Sequence, residues 1–169
     1  IARIVVPGAA HLVQQRSARG TNLFPSDRQR QFYLDTLETI SRERGLKIIA
    51  YCLLDDRVLL VVEPGTADAL QATLKVVHLR FSQQRNRAAG KAGHVWAGRF
   101  NSCPLDEDCA AEAVRFVERA PLREGRGRKA EAYPWSSAAA RVGRAESTLL
   151  GGKPSKTPTA ANWSAWLNA

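Results

Sequence analysis

Several protein classes are excluded by what this chain lacks. No apolar run approaches the ~20 residues of a membrane-spanning helix, and the first residues lack the charged-then-apolar pattern of a secretion signal. We therefore expect no membrane partner. The three cysteines, Cys52, Cys103 and Cys109, show no Cys-x-x-Cys spacing. The three histidines, His11, His78 and His94, lie far apart and form no ligand motif, so no metal and no cofactor is expected from these residues. An odd number of cysteines without a secretion signal fits a reducing cytoplasm, the location we expect. Methionine is absent even from position 1, from which we expect the numbered chain to be trimmed at its start. No segment repeats.

Negative charge is also scarce. Against 25 Lys and Arg stand 16 Asp and Glu, giving a net charge of +9 and a pI near 10.1. Such a balance favours a polyanionic partner through phosphate contacts and counterion release; the alternative is a basic surface kept for solubility. The 44% hydrophobic and 24% charged fractions are those of a globular protein. At 169 residues the chain is long enough to bury a core in one domain with a small appendage.

The periodicities predict an ordered series of elements. Residues 1–15 hold a short apolar strand ending near Arg16, followed by a loop over residues 17–22. Ser26 with Gln29 has the spacing of a capping box and opens a helix whose apolar face is Tyr33, Leu37 and Ile40, with Gly45 as its stop. Residues 46–53 and 58–62 read as strands around the Asp55-Asp56 turn, broken by Glu63-Pro64-Gly65. A helix over about 67–88 buries Leu70, Leu74, Val77 and Phe81. Residues 95–103 read as a strand, and residues 106–119 as a helix with acidic residues in its first turn. The order strand, helix, strand, strand, helix, strand, helix is a ferredoxin-like α+β pattern, an antiparallel sheet backed by helices. We assign it to residues 1–120. Residues 121–169 then supply a basic loop, a short helix starting at Tyr133-Pro134-Trp135-Ser136-Ser137, a mobile linker over 151–158, and a tail in which Trp163 and Trp166 act as anchors.

The hairpin from Tyr51 to Glu63 carries the most specific signal. It resembles the metal-site hairpin of the HUH tyrosine transposases, the REP-associated branch in particular. The segments Gly93-His94-Val95-Trp96-Ala97-Gly98-Arg99-Phe100, Ser102-Cys103-Pro104-Leu105-Asp106-Glu107, Ala113-Val114-Arg115-Phe116-Val117-Glu118 and Tyr133-Pro134-Trp135-Ser136-Ser137 extend the resemblance over most of the chain. It implies a fold that holds single-stranded or hairpin DNA. In active members a histidine pair two residues apart holds a divalent metal, and a helical tyrosine attacks the scissile phosphate. Here the histidine positions are Arg57 and Leu59, which offer a metal no lone pair. The nucleophile's position is Phe116, without a hydroxyl, and the polar position four residues later is Ala120. All four departures remove the same function. This implies a frame reused for binding rather than cutting. The alternatives are an enzyme with a relocated nucleophile, Tyr51 being nearest in sequence, and a protein-interaction module derived from a transposase. The turn after Arg16 also departs from the family's pattern. Monomer and homodimer are both open.

The candidate DNA-binding residues are Arg16, Arg57, His94, Trp96 and Arg99, with two basic runs. The first is Arg80, Arg85, Arg87 and Lys91. The second is Arg115, Arg119 and Arg123, continuing through Arg126, Arg128 and Lys129. If both runs flank one cleft, they form a positive channel. Arg57 reads as a phosphate contact in place of the metal, or as an exposed arginine at a strand start. Trp96 reads as a base-stacking platform or as a half-buried core aromatic. Leu59 and Phe116 read as core filling.

Overall fold

The computed structural model describes residues 3–169; Ile1 and Ala2, at the start of the first expected strand, lie outside the described residues. Four strands, β1 (His11–Arg16), β2 (Leu46–Leu53), β3 (Arg57–Pro64) and β4 (Asn101–Pro104), form one antiparallel sheet in the order β2-β3-β1-β4. The helices are α1 (Asp27–Arg44), α2 (Ala69–Ala89), α3 (Glu107–Glu118), α4 (Ala120–Arg123), α5 (Ala138–Arg141) and α6 (Ala160–Asn168). β1-α1-β2 and β3-α2-β4 are split βαβ units, each with a strand of the other unit between its own two. This is the ferredoxin-like arrangement.

Helices cover both faces of β2 and β3, which is why these two strands read as nearly continuous apolar runs rather than alternating ones. On one face, α1 and α2 bring Tyr33, Leu37, Ile40, Leu70, Leu74, Val77 and Phe81 against Val13, Ile48, Val58, Leu60 and Val62. On the other, α3 and α6 bring Val114, Val117, Trp163 and Leu167 against Ile49, Ala50, Cys52, Leu59 and Val61. A bulge between Ile48 and Ala50 lets Ile49 and Ala50 face the same side. The outer edge of β2 is closed by the chain: Leu53 N–H donates to Trp135, Ser137 N–H to Tyr51, and Gly151 N–H to Ile48.

Three local expectations are corrected. Ser26 is the α1 N-cap residue but its side chain caps nothing; Gln29 is buried and its amide oxygen has no partner, so no capping box forms. The strand expected over 95–103 shrinks to Asn101–Pro104. Residues 95–97 instead clamp the end of β1, with Ala18 N–H donating to Val95 and Ala97 N–H to Arg16. The expected mobile linker is partly docked: Gly151 lies against β2, and Lys156 pairs with Asp108. α1 does stop at Gly45, which takes φ 68°.

Candidate nucleic-acid interface

Residues two apart on a strand share a face, and antiparallel register extends that face sideways. Arg57 and Leu59 therefore lie on the α3 side of β3, opposite Arg16 and Gln14 of β1, and Gln14 in turn lies opposite Asn101 of β4. Leu59 is packed into the α3-side core together with Ala120. Arg57 donates to both carboxylate oxygens of Asp56 at 2.9 and 3.0 Å and pairs with Glu124. It is thus neither a free phosphate ligand nor a plain exposed arginine. Its charge is met by two carboxylates. Arg126 and Arg30 hold Asp55 in the same turn.

Phe116 is 44% exposed, which corrects the expectation of core filling. The buried stripe of α3 runs through Ala110, Ala113, Val114 and Val117, and position 116 falls beside it. The guanidinium of Arg123 sits 4.0 Å from the Phe116 ring centroid and donates to the Phe116 carbonyl at 2.8 Å. Phe116 and Ala120 do not share an environment, because α3 ends at Glu118 and the chain starts α4 with Ala120-Pro121. Burial holds the Arg123 pKa below its usual value, and the charges of Arg57 and Arg119 add to this. Arginines 57, 119 and 123 thus crowd the place where the resemblance sets the nucleophile.

Arg16 is exposed at the end of β1, with the Gln14 amide oxygen turned toward it. Arg80, Arg87, Lys91, His94 and Arg99 are exposed. Arg85 is half-buried and ties down the loop before α1, donating to Leu23 and Asn22. Trp96 is half-buried; its indole N–H donates to the His78 carbonyl at 3.1 Å, and its ring lies 4.3 Å from the His78 ring. Arg115 and Arg119 donate to carbonyls at the end of α6, Arg115 to Trp166 and Ala169, Arg119 to Ala169. Cations suit that helix terminus.

The two basic runs do not line one cleft. α2 and α3 pack on opposite faces of the sheet, so the first run lies on the α2 side and the second on the α3 side. Sequence spacing could not reveal this, since it does not say which face a helix covers.

Sequence reading passed over Gln14, Asn101 and the buried Glu118. Glu118 accepts from the Ser137 hydroxyl and the Trp163 indole N–H, both at 2.6 Å. Burial raises its pKa, and those two hydrogen bonds oppose the rise. Its only signal was a carboxylate next to the apolar stripe of α3. All three tyrosines are buried. Tyr33 OH lies 3.1 Å from His78, and Tyr133 OH donates to the Leu53 carbonyl at 2.7 Å. Burial raises the pKa of Tyr33 and Tyr51, and pushes that of Tyr133 up to about 12.

The residues at this site do not fit the divalent ion of the active transposases. Arg57 and Leu59 have no lone pair for it, and among the described residues no three His, Cys, Asp or Glu side chains converge as a metal-binding set. Nor, among the described residues, is any helix long and apolar enough to cross a membrane.

No protein-family model matches the chain, and no curated protein matches it. Among solved structures it is similar to a REP-associated tyrosine transposase bound to a REP hairpin, at 16% identity and a TM-score of 0.71, over 94% of each chain. It is also similar to a candidate transposase from Deinococcus radiodurans R1, at 18% identity and a TM-score of 0.48, over 70% of this chain and 95% of that one. At a TM-score of 0.71 over 94% of each chain, the chain has the fold of the first of these, a REP-associated tyrosine transposase.

Proposed function

We propose that this protein is a REP-associated transposase relative that binds single-stranded or hairpin DNA and does not cut it. The observation that carries the reading is the content of the former chemical site. Leu59 and Ala120 are sealed into the core, Arg57 is paired with Glu124 and Asp56, and Phe116 stands at the nucleophile's position. A site stripped of polar ligands costs little to fill with apolar groups.

Two further observations support DNA as the partner. The net charge is +9, and the structural neighbour of the same fold holds a REP hairpin. The buried tyrosines argue against a relocated nucleophile: Tyr51 is 7% exposed and its hydroxyl is made less acidic by burial.

The test is binding of labelled single-stranded, hairpin and duplex DNA across a salt series, with magnesium or manganese present and a denaturing gel alongside. Salt-sensitive binding to hairpin or single strand with neither cleavage nor adduct is the expected result. A covalent adduct would show that the chemistry has moved to another residue. No binding at any salt would point to a protein partner.

A further inference from the structure

The α2 side of the sheet carries a small groove of about 210 Å³ whose walls include Arg3, Lys75, His78, Trp96, Arg99 and Phe100. It lies on the face opposite the former chemical site. Among the described residues three cations border it and no carboxylate does. Arg3 lies flat on Phe100, its guanidinium 3.8 Å from the ring centroid, and donates through Nε and Nη2 to the Phe100 carbonyl at 3.1 and 2.8 Å. The guanidinium is thereby fixed in direction, and among the described residues Nη1 has no partner. Burial and the nearby positive charge of Arg99 both hold the Arg3 pKa below its usual value. Among the described residues none of the three cations is paired with a carboxylate. Like charges held together without a counter-ion are relieved by a bound anion, and guanidinium geometry favours a phosphate.

A second groove of about 640 Å³ adjoins the first and is bordered by Arg19, Ser82 and His94. Trp96 and Gly98 belong to the walls of both. The indole is fixed by its hydrogen bond to His78. Gly98 adopts φ +76°, a conformation that strains other residues, and a Cβ there would meet nothing within 4 Å. The boundary that the two grooves share at Gly98 is thus unobstructed by a side chain. Drug-sized sites run to ~300–1,000 Å³, so the smaller groove suits a single phosphate and not a larger group.

We propose that this pair of grooves is a nucleotide-binding site: Arg3, Lys75 and Arg99 hold one phosphate, and the unpaired base passes over Gly98 to lie against Trp96. This inference rests on the nucleic-acid reading and adds to it a second contact region on the far face of the sheet. The phosphate comes from a single-stranded stretch of bound DNA or from a free nucleotide, and the experiment separates the two.

The full chain is titrated with a blunt hairpin, with the same hairpin carrying a four-nucleotide single-stranded extension, and with free dAMP. Tryptophan fluorescence is read for the wild type, Trp96→Phe, and the double variant Lys75→Gln/Arg99→Gln. The replaced lysine and arginine are exposed, so folding is retained. The expected result is that the extended hairpin quenches Trp96 fluorescence and binds about tenfold more tightly than the blunt one. The double variant loses that advantage, and its salt dependence is shallower by ~0.7 per lost phosphate contact. Quenching by dAMP alone, lost in the double variant, would also support the site and assign it to free nucleotides. Equal affinity of wild type and double variant for the extended hairpin, with no dAMP quenching, overturns the site while leaving DNA binding intact. If the wild type binds neither hairpin and is not quenched by dAMP, both readings fall.

Discussion

Introducing the residues of the proposed lost chemistry one at a time measures how far positions 57, 59 and 116 are built into the core. Phe116→Tyr should be nearly neutral, because the ring is 44% exposed and surface changes stay within ~0.5 kcal/mol. It should give no covalent adduct, since Arg57 and Leu59 offer nothing to a metal. Leu59→His is different. Leu59 is 2% exposed among Val61, Val114, Val117 and Ala120. Truncating a buried leucine costs ~2–5 kcal/mol; an imidazole refills part of that volume but adds an unpartnered polar nitrogen worth ~1–3 kcal/mol. The net loss should be about 3 kcal/mol, a fall in Tm of ~6–12 °C for a domain of this size. Arg57→His removes a partly exposed ion-pair set and should cost only ~0.5–1 kcal/mol. Urea unfolding of the three single variants, with a denaturing gel of each incubated with hairpin DNA and manganese, reads both predictions. An adduct from Phe116→Tyr alone would refute the account of the site. A loss below about 1 kcal/mol in Leu59→His would refute the claim that the core has closed over it.

Three further outcomes are expected. Glu118→Ala leaves the Ser137 hydroxyl and Trp163 N–H without an acceptor and should cost ~3–5 kcal/mol; Glu118→Gln can still accept from one and donate to the other, and should cost under ~1 kcal/mol in urea unfolding at pH 7. His78 is held neutral by burial, its pKa pushed down to about 3. The unfolded chain takes up that proton below ~6.5, so this contribution is complete above that pH and is lost as pH falls toward the folded value. Because the residue is only partly enclosed, about 2 kcal/mol is a fair size for it, and wild type should lose that much more than His78→Gln between pH 7 and pH 4. Arg87 and Lys91 are exposed, so Arg87→Gln/Lys91→Gln should leave the urea midpoint unchanged while flattening the salt dependence of hairpin binding; an unchanged salt slope would remove both from the interface.

The elements that sequence made legible are those with strong periodicity. Leu70, Leu74, Val77 and Phe81 mark α2 because a helix on a sheet must bury one stripe, and Gly45 marks the end of α1 because that position takes a positive φ. The strand expected over 95–103 failed for the opposite reason. Val95 and Phe100 are buried, but the intervening glycine-containing stretch is shaped by the end of β1, a tertiary contact with no local signature. At the site, the family resemblance pointed to Arg57, Leu59 and Phe116 as the positions that depart from the active pattern. It did not foretell their partners. Glu124, which meets Arg57, lies 67 residues away, and Arg123 reaches Phe116 only because the chain turns into α4 directly after α3.

That turn also shapes how β3 and α3 are joined. An ion held between β3 and α3 would also fasten those two elements. Here the same junction is fastened by other means. Leu59 and Ala120 join one apolar cluster, Arg57 reaches across to Glu124, and Glu118 ties α3 to Ser137 beside β2 and to Trp163 of α6. Glu118 makes its bonds on the buried flank of α3, while Phe116 faces outward. Stability and surface chemistry are therefore separated along one helix. Changes at Phe116, Arg123 and Arg16 should alter what is bound with little effect on folding, whereas changes at Leu59, Glu118 and Trp163 should unfold the α3 face whether or not DNA is present.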